Sequence, residues 1–395
     1  MTAAQAGDAP KPGLATVLWE WGLIGSIGFG GPPTHIRLLR RLCVERRGWI
    51  GATEFEDAVA TCNLLPGPAS TQLAIFCAWR VRGRAGAVVG GAAFTVPGLA
   101  MILGLAVVFL AGSPPRWVLA AGAGASAAVP AVAVLAGAGL IPASRGRRTP
   151  RVRWMLYVLA GGAAAALLGP WLVLVLLACG LVELAVTASR ATWDITRALT
   201  VLPVLARGDP AAAGLGAGAL AALCWVAFKV GALSYGGGFV IVPVMQADAV
   251  DRYHWMTGAQ FLNAVALGQI TPGPIVHTVA VVGYAAAGVI GGLLAAVVAF
   301  GPSFALVLLG GHRFARLRRD RRARAFLDGA GPGAIGAILG SAVGLARALS
   351  QPWQAAVLAA AAVVLLGLRR GVVTTLLAAA LVGVAVGLGG GPLPH

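Results

Sequence analysis

Two short stretches of this chain combine residue types suited to holding an anion. Leu65-Pro66-Gly67-Pro68 leads into Ser70, Thr71 and Gln72, and Thr271-Pro272-Gly273-Pro274 leads into His277 and Thr278. Proline lacks an N–H and bars the helix behind it, while glycine permits a tight reversal. A helix that begins at Pro68 or Pro274 starts with unpaired N–H groups, here those of Ser70, Thr71 and Gln72 and of Val276, His277 and Thr278. Such an end carries roughly +0.5 charge and attracts anions. Asn63 and Gln269 stand just before the two motifs and add amide groups. The candidate substrate-binding set is therefore Asn63, Pro66, Gly67, Pro68, Ser70, Thr71, Gln72, Gln269, Thr271, Pro272, Gly273, Pro274, His277 and Thr278. The Gly-rich turns at Gly30-Gly31 and Gly236-Gly237 join it, because they can bring bare backbone close to a ligand.

The elements around these motifs belong to a bilayer. Of 395 residues, 58% are hydrophobic and 11% charged, with mean hydropathy +0.85. A soluble domain carries about 25% charged residues. Apolar stretches fit spanning helices at about 14–31, 86–110, 117–141, 154–169, 171–188, 211–235, 289–311, 325–349, 353–368 and 371–388. The fold class expected is all-α: about ten spans plus two re-entrant helical hairpins, 53–64 with 69–80 and 259–270 with 275–288. Arms of about 12 residues reach roughly 18 Å, so the tips come near the midplane.

The two hairpins are copies of one another. Phe29-Gly30-Gly31 matches Tyr235-Gly236-Gly237, Trp49 matches Trp255, Phe55 matches Phe261 and Pro66 matches Pro272, all at one offset of 206 residues. The organisation expected is a tail (1–13), a first repeat (14–190), a linker (191–210) and a second repeat (211–395). Charge sets their orientation. Arg37 to Arg47 and Arg80 to Arg84 are basic in the first copy, whereas their second-copy equivalents are mixed or neutral; one loop later, 312–324 holds seven Arg and one Asp. With basic loops inside, equivalent loops face opposite sides, so the repeats are inverted. Five spans per copy agree with that inversion and place both termini outside.

The formal net charge of +17 comes from arginine clusters between apolar runs, without an aromatic-interleaved groove, which argues against nucleic acid. It favours anionic lipid and draws anions toward a pathway. Five cysteines form no Cys-x-x-Cys pair and read as buried thiols, so neither metal nor cofactor is expected. Residues 1–13 do not read as a cleaved signal. Ionisable groups inside apolar segments, Glu20, Glu54, Asp57, Glu183 and Lys229, are candidates for coupling or charge pairing. For Glu54, Glu56 and Asp57, helix-start carboxylates are the simpler reading.

These residues resemble the chromate ion transporter family in its long two-domain form. The resemblance rests on Phe29-Gly30-Gly31-Pro32 with His35, then Arg46, Arg47 and Trp49, then Phe55. Leu65-Pro66-Gly67-Pro68 with Gln72 follows, then Phe94 and Pro97-Gly98, and the second-copy set ends at Pro272-Gly273-Pro274. Gly301-Pro302-Ser303 is shifted one place from Val96-Pro97-Gly98. The resemblance implies export of chromate across a bacterial inner membrane, conferring resistance and driven by the membrane gradient. No P-loop lysine motif is present for ATP hydrolysis. For a dianion leaving a negative interior, 100 mV supplies roughly 4.6 kcal/mol. Partners expected are the oxyanion and the bilayer, and a homodimer is an allowed assembly. Sulfate, or a channel for such oxyanions, shares the same site plan. A membrane-embedded lipid-modifying enzyme needs metal-binding carboxylates, and Asp248 with Asp251 is the only pair with suggestive spacing.

Overall fold

A computed structural model describes residues 12–63, 65, 67–110, 114–145, 149–167, 172–188, 217–234, 238–311 and 320–394. The expected linker at 191–210, most of the tail, and Pro66, Gly236 and Gly237 lie outside the described residues.

Every element among the described residues is helical. The first half runs α1 (Leu14–Ile27), α2 (Pro32–Arg40), α3 (Ala52–Cys62), α4 (Ala69–Phe109), α5 (Arg116–Arg145), α6 (Arg151–Leu167) and α7 (Leu172–Ala188). The second half runs α8 (Ala217–Leu233), α9 (Ile241–Gln246), α10 (Gly258–Ile270), α11 (Thr278–Gly310), α12 (Arg321–Arg347), α13 (Pro352–Ala362) and α14 (Val372–Leu388). Among the described residues four helices are long and apolar enough to cross a membrane: Ala69–Phe109, Arg116–Arg145, Ile275–Gly310 and Arg321–Arg347. Five more, α1, α7, α8, α13 extended to Gly367, and α14, are apolar but shorter.

Local backbone features recur between the halves. α2 runs into a π-helical turn at Arg41–Arg46 and α9 into one at Ala247–Arg252, again 206 residues apart. α4 breaks at Arg82 (φ −138°) and Gly83 (φ 64°), and α11 breaks at Ala287 (φ −152°) and Gly288 (φ 64°). The breaks, like Pro97 and Pro302, are one residue closer than the tips. The difference is absorbed at Ile275–His277, which forms a 3-10 turn. Three residues at about 2.0 Å rise span what four cover at 1.5 Å.

Small residues set the helix contacts. A Cβ on Gly124 or Gly383 would meet the other helix's backbone across α5 and α14, and one on Gly161 of α6 would meet the Gly333 backbone of α12. Gly336 and Gly340 of α12 lie against the backbones of Val158 and Gly162, so small residues bring α12 and α6 together. α4 and α11 run antiparallel, since Gly91 meets Phe304 while Leu103 meets Gly292.

α1 departs from the sequence expectation. Its 14 residues reach about 21 Å, short of a hydrocarbon core of about 30 Å. Leu14 lies beside Arg82 to Ala85, and the chain turns at Gly28–Gly31 so that Arg46 and Arg47 come back to Glu20. α1 and α2 thus form a further fold-back pair. Gly391 accepts a hydrogen bond from Arg116, beyond the far end of α4. Leu14, at the α4 break, and Gly391, beyond Phe109, therefore sit at opposite ends of the second segment of α4 (84–109), which departs from the expected placement of both termini on one side. The basic stretches gather at the Leu14 end: Gly311 lies against the Trp79 ring, and Thr149 donates to the Asp328 carbonyl, bringing Arg151 and Arg153 to the start of α12.

Candidate substrate site at the two hairpin tips

Each Pro-Gly-Pro motif turns the chain between two helices. Gly67 (φ 119°) and Gly273 (φ 102°) occupy the left-handed region that other residues avoid. Thr271, which precedes a proline, is held extended (ψ 149°) and closes α10. Pro68 and Pro274 are extended residues that cap the returning helix start.

The tips seat reciprocally in the opposite half. Gly67 lies against the Ser303 hydroxyl, just after Pro302 in α11. Gly98, just after Pro97 in α4, lies against the Pro272 carbonyl and the His277 ring. Gly28 joins the two sides. Its carbonyl accepts the Gly273 N–H (3.2 Å) and the His35 Nε2 hydrogen (2.8 Å). A carbonyl can only accept, so Nε2 carries the proton, and Nδ1 of the neutral ring accepts from Ser70 Oγ (3.2 Å). Edge-on aromatic contacts also recur, His35 with Phe94 (5.0 Å) and His277 with Phe300 (5.2 Å).

The candidate residues divide by how they are used. Ser70, Thr71, Gln72, Gln269, Thr271, His277 and Thr278 are all buried around the tips. The hydroxyls of Thr271 and Thr278 are spent on the Leu267 and Ile275 carbonyls, at 2.8 Å each. The backbone N–H groups expected to be free are partly committed. Those of Thr71 and Gln72 donate to the Pro68 carbonyl (2.9 and 3.0 Å), and that of His277 donates to Pro274 (2.9 Å). The reason is that each proline caps its helix and offers a carbonyl to the first turn. Thr71 Oγ1, Gln269 Nε2 and Ser303 Oγ have no hydrogen-bond partner. Neither ring nitrogen of His277 has one, the Thr95 backbone being near but outside hydrogen-bonding geometry. Burying a polar group without a partner costs about 1–3 kcal/mol, which makes this seam the candidate site.

Asn63 closes α3 and is exposed, and Gly30 and Gly31 form the exposed-to-half-buried turn before α2. The ionisable candidates are engaged elsewhere. Glu20 is held by Arg46 and by Arg47 (2.7 Å), Glu54 by Arg80, and Glu183 by Tyr157 (2.9 Å) and Arg153 (3.3 Å). The Asp57 carbonyl accepts from Thr61 (2.8 Å). Lys229 pairs with the fully buried Asp248 at 2.5 Å, which takes that carboxylate away from any pairing with Asp251.

Ser303 and Gly98 entered the sequence reading only through the family resemblance, and Gly28 not at all, so none of the three was in the candidate site set. The signal for the first two was the proline pair Pro97 and Pro302, visible once an offset of 205 is allowed beside 206.

Comparison with known proteins supplies the family. The model of the chromate transporter family matches residues 15–184 and 221–384. The chain is 31% identical over 353 residues to a chromate transport protein of Cupriavidus metallidurans, covering 87% of this chain and 86% of the relative. It is 31% identical to a chromate transport protein of Pseudomonas aeruginosa, covering 83% and 80%. An uncharacterized transporter of Methanocaldococcus jannaschii is 27% identical, covering 75% and 76%. No solved structure matches the chain. With both halves matched and full-length relatives at this identity, the chain belongs to the chromate transporter family.

Proposed function

We propose that this protein is a secondary transporter that exports chromate across the bacterial cytoplasmic membrane, holding the oxyanion between the two Pro-Gly-Pro tips. The observation that carries this reading is the buried seam of partnerless polar groups where each tip seats on the other half's proline bend: Thr71, Gln269, His277 and Ser303. Hydroxyl, amide and imidazole N–H groups donate to an oxyanion's four oxygens, and bonds to a charged acceptor are worth more than neutral ones. The names of the relatives supply the choice of chromate, and the donor set suits sulfate equally in shape.

An inverted relation of the halves is supported by the antiparallel packing of α4 and α11 and by matching breaks at Gly83 and Gly288. Two half-bilayer hairpins then approach one site from opposite faces, a plan suited to alternating access. The arginine-rich end faces the cytoplasm by the positive-inside rule, and the membrane potential, alone or with a proton gradient, drives the dianion outward.

The test is chromate flux in proteoliposomes of defined orientation under an imposed potential, with Pro68→Ala and Pro274→Ala beside the parent. The expected result is potential-driven chromate movement by the parent, lost in both variants while they remain monodisperse. Movement of sulfate but not chromate would keep the site and replace the substrate. Flux of neither anion by folded parent protein would overturn the transport reading.

A further inference from the structure

The break in α4 opens a groove that the transport reading does not use. It encloses about 640 Å³ and is lined by Leu14, Trp79, Arg80, Arg82, Gly83 and Arg84, among others. Arg80 is held by Glu54 on α3. Arg82 and Arg84 are exposed and make no ion pair among the described residues. A Cβ on Gly83 would meet nothing within 4 Å, so the backbone at the break is open to an incoming group.

The second half provides an internal control. Its break has the same backbone, with Gly288 at the same φ of 64° and equally open. Yet the residues standing for Arg80, Arg82 and Arg84 there are Ala285, Ala287 and Val289, and Val289 is 50% exposed. The break therefore does not require arginines. In the first half they occupy positions that the second half gives to half-buried or exposed apolar side chains.

We propose that this groove binds the phosphodiester headgroup of an anionic membrane lipid. The guanidinium groups of Arg82 and Arg84 present forked donors that match phosphate oxygens. Trp79 and Leu14 form the apolar wall along which the acyl chains leave, tryptophan being suited to the headgroup level. Arg80, held back by Glu54, sets the rim. The groove lies at the basic end of the bundle, the end the positive-inside rule turns toward the anionic cytoplasmic leaflet.

The experiment is native mass spectrometry of the full-length, detergent-purified protein titrated with phosphatidylglycerol or phosphatidylcholine. The Arg82→Gln/Arg84→Gln variant is measured in parallel, with Arg369→Gln/Arg370→Gln as a control for general positive charge. The expected result is a phosphatidylglycerol adduct on the parent and on the control, weakened about thirtyfold in the Arg82/Arg84 variant, the combined worth of two arginines at an anionic surface. Equal adducts on parent and variant would overturn the proposal. So would displacement of the lipid by millimolar inorganic phosphate, which would mark a site for the free anion. If the double variant does not purify intact, the parent alone decides: phosphatidylglycerol retained no better than phosphatidylcholine removes the site.

Discussion

In the first half an acid on the opening helix is held by bases on the turn that follows: Glu20 on α1 by Arg46 and Arg47 at the end of the π-helical turn. In the second half the signs are exchanged, with Lys229 on α8 held by Asp248 within the turn. Both pairs strap a fold-back helix to its turn, so the strap belongs to the architecture and its polarity does not. The inverted arrangement proposed above would account for the exchange. A turn at the cytoplasmic end collects arginines and needs an acid opposite, whereas a turn at the other end is free of that bias. The straps also differ in depth. Arg46 and Arg47 are about half exposed (54% and 44%), while Asp248 is fully buried and Lys229 only 14% exposed.

That difference in depth gives the largest expected effect. Asp248→Ala leaves Lys229 as an unpaired charge in the interior and should cost about 3–5 kcal/mol. The loss is read as a fall in the thermal midpoint by fluorescence-detected size exclusion. Replacing both partners by leucine should recover most of it, and a double variant as unstable as the single would show that the pair is not a strap. Glu20→Gln, whose arginines can turn to water, should cost only about 1 kcal/mol in the same assay.

The proline bends sharpen the comparison further. Gly98→Ala drives a methyl into the Pro272 carbonyl and the His277 ring, an overpacking worth about 1–3 kcal/mol, and should lower stability and flux together. At the matching place Ser303→Ala removes a hydroxyl that has no partner in the protein, so stability should hold. Its effect should appear instead as chromate affinity weakened by up to about tenfold, measured as KM in proteoliposomes. Unchanged KM would remove Ser303 from the site. The smallest change is expected at Glu54→Gln, whose partly exposed pair with Arg80 closes the open end of the first hairpin and is worth under about 1 kcal/mol by chemical denaturation.

Much of the fold was legible because the duplication writes each signal twice. Pro-Gly-Pro at a fixed offset identified the hairpins, and the same offset locates both π-helical turns. α1 was expected to cross because a largely apolar 14-residue helix followed by glycines fits the start of a span as well as a fold-back. What ends it is tertiary: the Gly28 carbonyl is taken by Gly273, 245 residues away, and by His35. The tip residues were identifiable by type, whereas their hydrogen bonds were not. Whether Thr71 or Thr278 keeps a free hydroxyl depends on the rotamer and on the first helical turn, and here Thr278 turns back to Ile275 while Thr71 does not. Ser303 was left out of the site set because the one-residue contraction at Ile275–His277 shifts the second proline bend out of register with the first.

The reciprocal seating of the tips makes the two halves interlocking clasps. Each half owns a loop without its own seat and a seat without its own loop. Loosening either clasp shifts a bend in its neighbour, so on the proposed inverted arrangement a push on one face of the bilayer would be felt at the hinge of the other. Opening to one side while closing to the other would then follow from shape alone, with no separate messenger between the faces.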